Sequence, residues 1–171
     1  MKIGILSDSH GRHLAVRHAL AALESLGAEA FVHCGDVGGM AVFDELAGRA
    51  VHFVWGNTDV PDAVLEGYVE DLGLTLPNVP LSLTLGGKRI AVCHGHERCF
   101  ERVILAAEHD YLFCGHTHER CDRRENGMRI INPGALHRAR IKTVATLDLS
   151  TDELTFYAVD DSRVAPLSSR I

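Results

Sequence analysis

No stretch of this 171-residue sequence is apolar for long enough to cross a membrane. The strand-like run that begins at Lys2 reaches Asp8 too soon for a secretory hydrophobic region. An excess of positive charge is also missing. Lys+Arg number 17 against 23 Asp+Glu, a formal net charge of −6, which argues against a bulk electrostatic grip on duplex nucleic acid. Nucleotide cleavage is not excluded on that ground, because bound divalent cations create a positive field of their own. There is no disulfide framework either. Cys34, Cys93, Cys99, Cys114 and Cys121 are odd in number and include no Cys-x-x-Cys pair, so a reducing cytoplasm is the expected location. Repeats, linkers and low-complexity segments are absent as well.

What remains is the composition of one soluble globular domain spanning 1–171, with 46% hydrophobic and 23% charged residues. The first half alternates strand and helix. Lys2–Ser7 predicts a strand apolar on both faces, and a helix follows from about Arg12 to Leu26, with Gly27 as its C-terminal cap. Strands at Ala30–His33 and Val51–Trp55 flank a short helix near Ala41–Leu46, a βαβαβ unit that requires parallel strands. The second half reads as hairpins. One turns at Gly86-Gly87 between Leu81–Leu85 and Arg89–Cys93, one at Asn126-Gly127 and one at Ser150-Thr151-Asp152. A helix near Phe100–Ala107 leads into a strand at Tyr111–Cys114. Two mixed sheets packed as a sandwich, with helices outside, are expected. The Pro- and Gly-punctuated stretch from about Pro61 to Pro80 is the least readable part of the sequence and is expected to shape a wall of the cleft.

Five apolar runs end in small turns carrying metal-ligand residue types: Asp8-Ser9-His10, Gly35-Asp36, Gly56-Asn57, His94-Gly95-His96 and Gly115-His116-Thr117-His118. Each alone is an ordinary turn. Five together, each after a strand, collect Asp, His and Asn at one sheet edge, where α/β proteins build their sites. Asp8-x-His10 and His116-x-His118 share an i, i+2 spacing that extended backbone would aim one way, so that each pair grips one ion. Asp36 offers two oxygens able to bridge neighbouring cations. Mixed N and O donors without thiolate suit Mn, Ni, Fe, Co or Zn rather than Ca or Mg. Two such ions about 3.5–4 Å apart activate a water for in-line attack on phosphorus. Cys34, Cys93 and Cys114 stand beside these turns and are read as small buried strand-end residues, not ligands.

In this order the motifs resemble those of the calcineurin-like metallophosphoesterases, and most closely the small single-domain phosphodiesterases among them. The resemblance runs from Met1 to about Arg140 and includes the turn Asn132-Pro133-Gly134. It implies an α/β fold, a four-layer α/β/β/α sandwich of two mixed β-sheets flanked by helices. It also implies that Asp8, His10 and His118 hold one metal, that Asn57, His94 and His116 hold the other, and that Asp36 bridges them. The expected reaction is hydrolysis of a small phosphate diester. Two divalent transition-metal ions are the expected cofactors, with manganese first. No membrane or stable nucleic-acid partner is expected, and a homo-oligomer is compatible with the sequence.

One position departs from the pattern. Many relatives carry a histidine directly after the ligand Asn, where it is thought to protonate the leaving group; here Thr58 stands there. His96 or Asp59 is the expected partial substitute, with Asp59 alternatively capping a helix that starts near Pro61. Asn57, His96 and Arg12 are the candidate substrate contacts. Arg138 and Arg140 are read as solvated surface cations, and Ala135 removes a hydroxyl that relatives often have. His33 and His52, inside strands, are expected in the core or behind the ligands; His13, His18, His109 and His137 carry no assignment. Two other readings compete. A non-catalytic protein-binding scaffold of the same fold would have lost ligands, yet all seven are present. A phosphomonoesterase or nuclease would share the metal ligands, but a nuclease would add a basic groove or further domains.

Overall fold

The structure, a computed structural model, describes residues 1–160 and 164–167. Strand β1 (Lys2–Leu6) is followed by α1 (His13–Ser25), β2 (Ala30–His33), α2 (Met40–Leu46), β3 (Val51–Phe53) and α3 (Ala63–Asp71). Then come β4 (Leu81–Leu85), β5 (Lys88–Val92), α4 (Phe100–Ala106), β6 (Tyr111–Phe113), β7 (Arg120–Glu125) and β8 (Met128–Pro133). The last strands are β9 (Thr143–Asp148), β10 (Glu153–Val159) and β11 (Val164–Pro166).

Two mixed sheets form, ordered β11-β10-β9-β1-β2-β3 and β4-β5-β6-β8-β7. Strands β1, β2 and β3 run parallel, as do β5, β6 and β8, so the carboxyl ends of both parallel sets are available to one site. Alternation along each strand then sets the layers. From β1, Ile3 and Ile5 enter the seam between the sheets, where they meet Val32, Val92, Phe113 and Ile131. Leu6 points the other way, into the layer under α1 and α2 with Val16, Leu20, Leu23, Phe43 and Phe53. From β5 and the residue that follows it, Ala91 and Cys93 face α4, against Val103 and Ile104. The result is the expected α/β/β/α order of layers.

Turn chemistry accounts for the hairpins. Gly86 and Gly87 both have positive φ (54° and 76°), as do Asn126 and Gly127 (51° and 83°), which suits two-residue loops matched to the strand twist. At the end of α1, Gly27 takes φ 86° and donates to the Glu24 carbonyl, closing the helix as expected. Between Pro61 and Pro80 the sequence concealed α3. Its cap is Asp62, whose carboxylate accepts from the amides of Val64 (3.1 Å) and Leu65 (2.9 Å), so the expectation that Asp59 caps this helix is corrected. Val69 is buried in the helix-side core and Tyr68 donates to Asp44 of α2, so the segment packs against α2. Strand β11 was not foreseen either.

One edge of the second sheet is β7, which carries Arg120, Asp122, Arg123, Arg124 and Glu125; the other is β4. Asp122 grips Arg129 of β8 through two bonds (2.7 and 2.9 Å), and Arg129 reaches Asp152 in the β9–β10 turn at 2.6 Å. Tyr111 of β6 donates to the same Asp152 at 2.8 Å, tying the two sheets together at the end remote from the ligand turns.

Candidate metal centre

The ligand turns converge as the order of segments predicted, although not by the anticipated backbone. Asp8, His10, Asp36, His116 and His118 all take left-handed φ angles, between 44° and 69°. The i, i+2 pairs therefore converge through turns rather than extended strand. Asp8 and His10 do share one group, whereas His116 and His118 part to different groups, so the idea that each pair grips a single ion is corrected for the second pair. Side-chain ligand atoms of Asp8, His10, Asp36 and His118 lie within 4.8 Å of one another. His116 faces a different group: its Nδ1 lies 2.8 Å from Asn57 Oδ1, which is 3.1 Å from His94 Nε2.

These atoms fit cations. With ligands about 2.1 Å from a metal, neighbouring donors stand roughly 3 Å apart. In the first group, His118 Nε2 is 3.1 Å from Asp8 Oδ1 and 3.4 Å from His10 Nε2. Asp8 Oδ1 is fully buried and has no hydrogen-bond partner, while its Oδ2 accepts from the His116 amide at 3.2 Å. A buried carboxylate oxygen aimed at three imidazoles and bonded to nothing is what a metal would satisfy. Asp36 joins the two groups. Its Oδ1 is fixed by the Thr58 amide (2.9 Å), and its Oδ2 faces His10 Nε2 at 3.6 Å and His94 Nε2 at 3.4 Å. Burial would push the Asp36 carboxyl up, but the Thr58 bonds and the nearby imidazoles outweigh it and hold the group below its ordinary value, ready as an anion.

Surrounding groups set the ligands' orientation. His94 Nδ1 lies 2.7 Å from the Cys34 carbonyl and so carries its proton there, which leaves the Nε2 lone pair directed at Asn57 and Asp36. Thr58 Oγ1 lies 3.3 Å from His10 Nδ1 and orients that ring. Glu97 receives the amides of His94 (2.6 Å) and Gly95 (2.7 Å), bracing their turn. Asn132 donates to the Gly115 carbonyl (2.7 Å) and to Thr117 (3.1 Å), holding the His116–His118 turn from behind. Glycine precedes several ligands because another ligand turn fills the space. A Cβ on Gly56 would lie 2.7 Å from Asp36 Cγ, and one on Gly115 would lie 2.7 Å from Asp8 Oδ2.

Asp59 takes amides from two turns, Gly56 (2.8 Å), Val37 (3.1 Å) and Gly38 (2.9 Å). Both of its oxygens are engaged, which makes it a clamp between the Asp36 and Asn57 turns, and the proton-donor role expected for it has no support in this geometry. His96 is 35% exposed, with its ring 5.4 Å from that of His94 and 6.0 Å from that of His116. Arg12 is exposed at the start of α1, just beyond the His10 turn. Cys34, Cys93 and Cys114 are buried and unpaired, and burial pushes the Cys114 thiol up to about 12, against a thiolate ligand.

His33, behind the site, is neutral. Its Nδ1 accepts from the Gly35 amide (3.3 Å), its Nε2 donates to Ser9 Oγ (2.9 Å), and Ser9 donates on to the Val37 carbonyl (2.9 Å). Burial, aided by neighbouring His94, pushes it down to about 3.

Two outcomes follow from these contacts. Asp59→Asn should weaken divalent-metal binding by about 10- to 100-fold, since the amide cannot accept all three N–H groups; chelator competition measures it. His33 has a folded pKa below the 6.5 of the unfolded chain, so its contribution to stability is complete above pH 6.5 and is lost as pH falls toward 3. Urea unfolding of metal-free protein should show stability dropping below pH 6.5, by up to about 1.4 kcal/mol per pH unit from this group, with a shallower decline in His33→Gln.

Comparison with known proteins identifies relatives of this chain. A phosphodiesterase of Methanocaldococcus jannaschii is 28% identical over 159 residues, covering 90% of this chain and 96% of that protein. A probable metallophosphoesterase of Bacillus subtilis, YsnB, is 27% identical over 183 residues, covering 100% of this chain and 99% of its own. The solved structure of an archaeal phosphodiesterase superposes with a TM-score of 0.83 at 26% identity, covering 93% of this chain and 100% of that one. The family model for the calcineurin-like phosphoesterase superfamily domain matches residues 1–152, and the chain belongs to that superfamily.

Proposed function

We propose that this protein is a phosphodiesterase that hydrolyses small phosphate diesters at a pair of divalent transition-metal ions. The observation that carries the reading is Asp36, whose one free oxygen faces both imidazole groups, 3.6 Å from His10 and 3.4 Å from His94. Asp8, His10 and His118 would hold one ion, Asn57, His94 and His116 the other, and Asp36 both. When bound, the ions would polarise the phosphoryl group and acidify a water. Manganese is the proposed metal, with Ni, Fe, Co and Zn compatible with the same donors.

The chain's own residues supply orientation. The Cys34 carbonyl keeps the His94 ring in the tautomer that bares Nε2, and Thr58 Oγ1 orients the His10 ring. Asp59 and Glu97 hold the turns that present Asn57 and His94. Asn57, His96 and Arg12 are the proposed substrate contacts, and His96 is best placed to donate toward a departing alkoxide. Thr58, at the position where many relatives carry an acid, instead serves Asp36 and His10. A partial acid at best is therefore in place. Among the described residues no helix is long and apolar enough to cross a membrane, and the five free cysteines suit the reducing cytoplasm proposed here.

Apo protein reconstituted with Mn, Ni, Fe, Co or Zn should hydrolyse bis(4-nitrophenyl) phosphate, and Asp36→Asn and His94→Ala should each lower kcat/KM by about 10²-fold or more. Turnover untouched by either substitution would overturn the metal-dependent reading. Across a series of diesters, rates should climb steeply with leaving-group acidity, aryl esters outrunning alkyl ones by about 10²- to 10⁴-fold beyond their intrinsic difference. A flat series would show that a full general acid operates.

A further inference from the structure

Between the first turn of α1 and the segment that leads into β9 lies a cavity of about 700 Å³, within the range that small ligands occupy. Arg12, His13, Leu14, His18, His137 and Lys142 line it, and among the described residues no carboxylate does. It borders the metal centre directly. Gly11, also in its wall, follows His10, and the His137 ring stands edge-on to that of His10 with centroids 5.7 Å apart. This gathering of cationic and imidazole groups stands out in a chain whose formal net charge is −6. Leu14, 54% exposed, adds an apolar surface at the same place. A neighbouring depression of about 490 Å³, lined by His118, Arg138 and Arg140, includes the carboxylate of Glu119 and is less suited to an anion.

We infer that this cavity receives a second anionic group of the substrate. The preferred substrate is then a phosphodiester with a phosphate or carboxylate of its own on one alcohol arm, as in a nucleotide-like diester. The inference rests on the phosphodiesterase reading for the bond that is cleaved, and on the cavity lining for the arm that is held. A neutral arm would gain nothing from a guanidinium in the wall. An anionic one would accept charge-assisted hydrogen bonds from its fork and from the flanking imidazoles. The volume exceeds what one phosphate needs, so a ring joining the two anionic groups also fits, against Leu14.

Calorimetric titration of the manganese-loaded protein with thymidine 5′-monophosphate and with thymidine 3′,5′-bisphosphate tests this. The second phosphate should tighten binding by about tenfold. That gain should largely disappear in Arg12→Gln and in Lys142→Gln, yet persist in Arg140→Gln, which removes the same charge from the neighbouring depression. Equal affinity for the two nucleotides would overturn the inference. So would a gain that survives both cavity substitutions, or one lost equally in Arg140→Gln. Hydrolysis of thymidine 5′-(4-nitrophenyl phosphate) separates the two readings. If the ester is cleaved without any bisphosphate preference, the diesterase stands and the anion seat falls. If the preference behaves as expected and the ester is not cleaved, the seat stands and the diesterase falls.

Discussion

The site depends on a set of hydrogen bonds that run from side chains on one turn to backbone amides on another. Five ligand residues hold left-handed backbone, a conformation that costs a non-glycine residue on the order of 1 kcal/mol or more. No single turn would keep such a shape in isolation. Asp59 binds the amides of Gly56, Val37 and Gly38, Thr58 lends its amide to Asp36, and Asp8 takes that of His116, so each turn is held by its neighbours. The close approaches at Gly56 and Gly115 follow from the same crowding. Glycine before a ligand is thus a demand of the neighbouring turn as much as of its own.

This arrangement divides the work between rigid and exposed parts. Asp8, Asp36 and His94 are buried, their second atoms occupied by amide or carbonyl partners, so their free atoms have one direction left to face. Asn57 and His116 are more exposed, as is His96 beside them, and this is the side from which a substrate can arrive. The sandwich supports the division. The seam between the sheets, built from Ile3, Ile5, Val32, Val92, Phe113 and Ile131, fixes the relative height of the two parallel strand sets. A shift of one sheet against the other would part Asp8 and Asp36 from His94 and His116.

Much of this was legible in the sequence, for identifiable reasons. Gly86-Gly87 and Asn126-Gly127 announce their hairpins because few other residues adopt two successive positive φ values. The order of the candidate ligands was legible because each residue follows an apolar run that reads as a strand. The left-handed turns were not. Asp and His enter that conformation more readily than most residues but do not by themselves announce it, and the partners that impose it lie from 21 to 108 positions away in the chain. For the same reason Asp59 read as a helix cap when Asp62 holds that post, and Glu97 drew no notice although both its oxygens brace the His94 turn. Helix α3 was lost among glycines and prolines whose punctuation outweighed a short apolar pattern.

The charged edge strand β7 has a consequence far from catalysis. An uncovered strand offers its free amides and carbonyls to any passing copy of the chain. Here one of the two edge strands of the second sheet displays Arg123, Arg124 and Glu125 to solvent, with Arg123 paired to Glu125 and Arg124 to Asp152. A second molecule zipping onto that edge would have to strip water from those guanidinium groups and break their pairings. Resistance to pairing along that edge is thereby built into the same strand whose Asp122 helps to fasten the two sheets together.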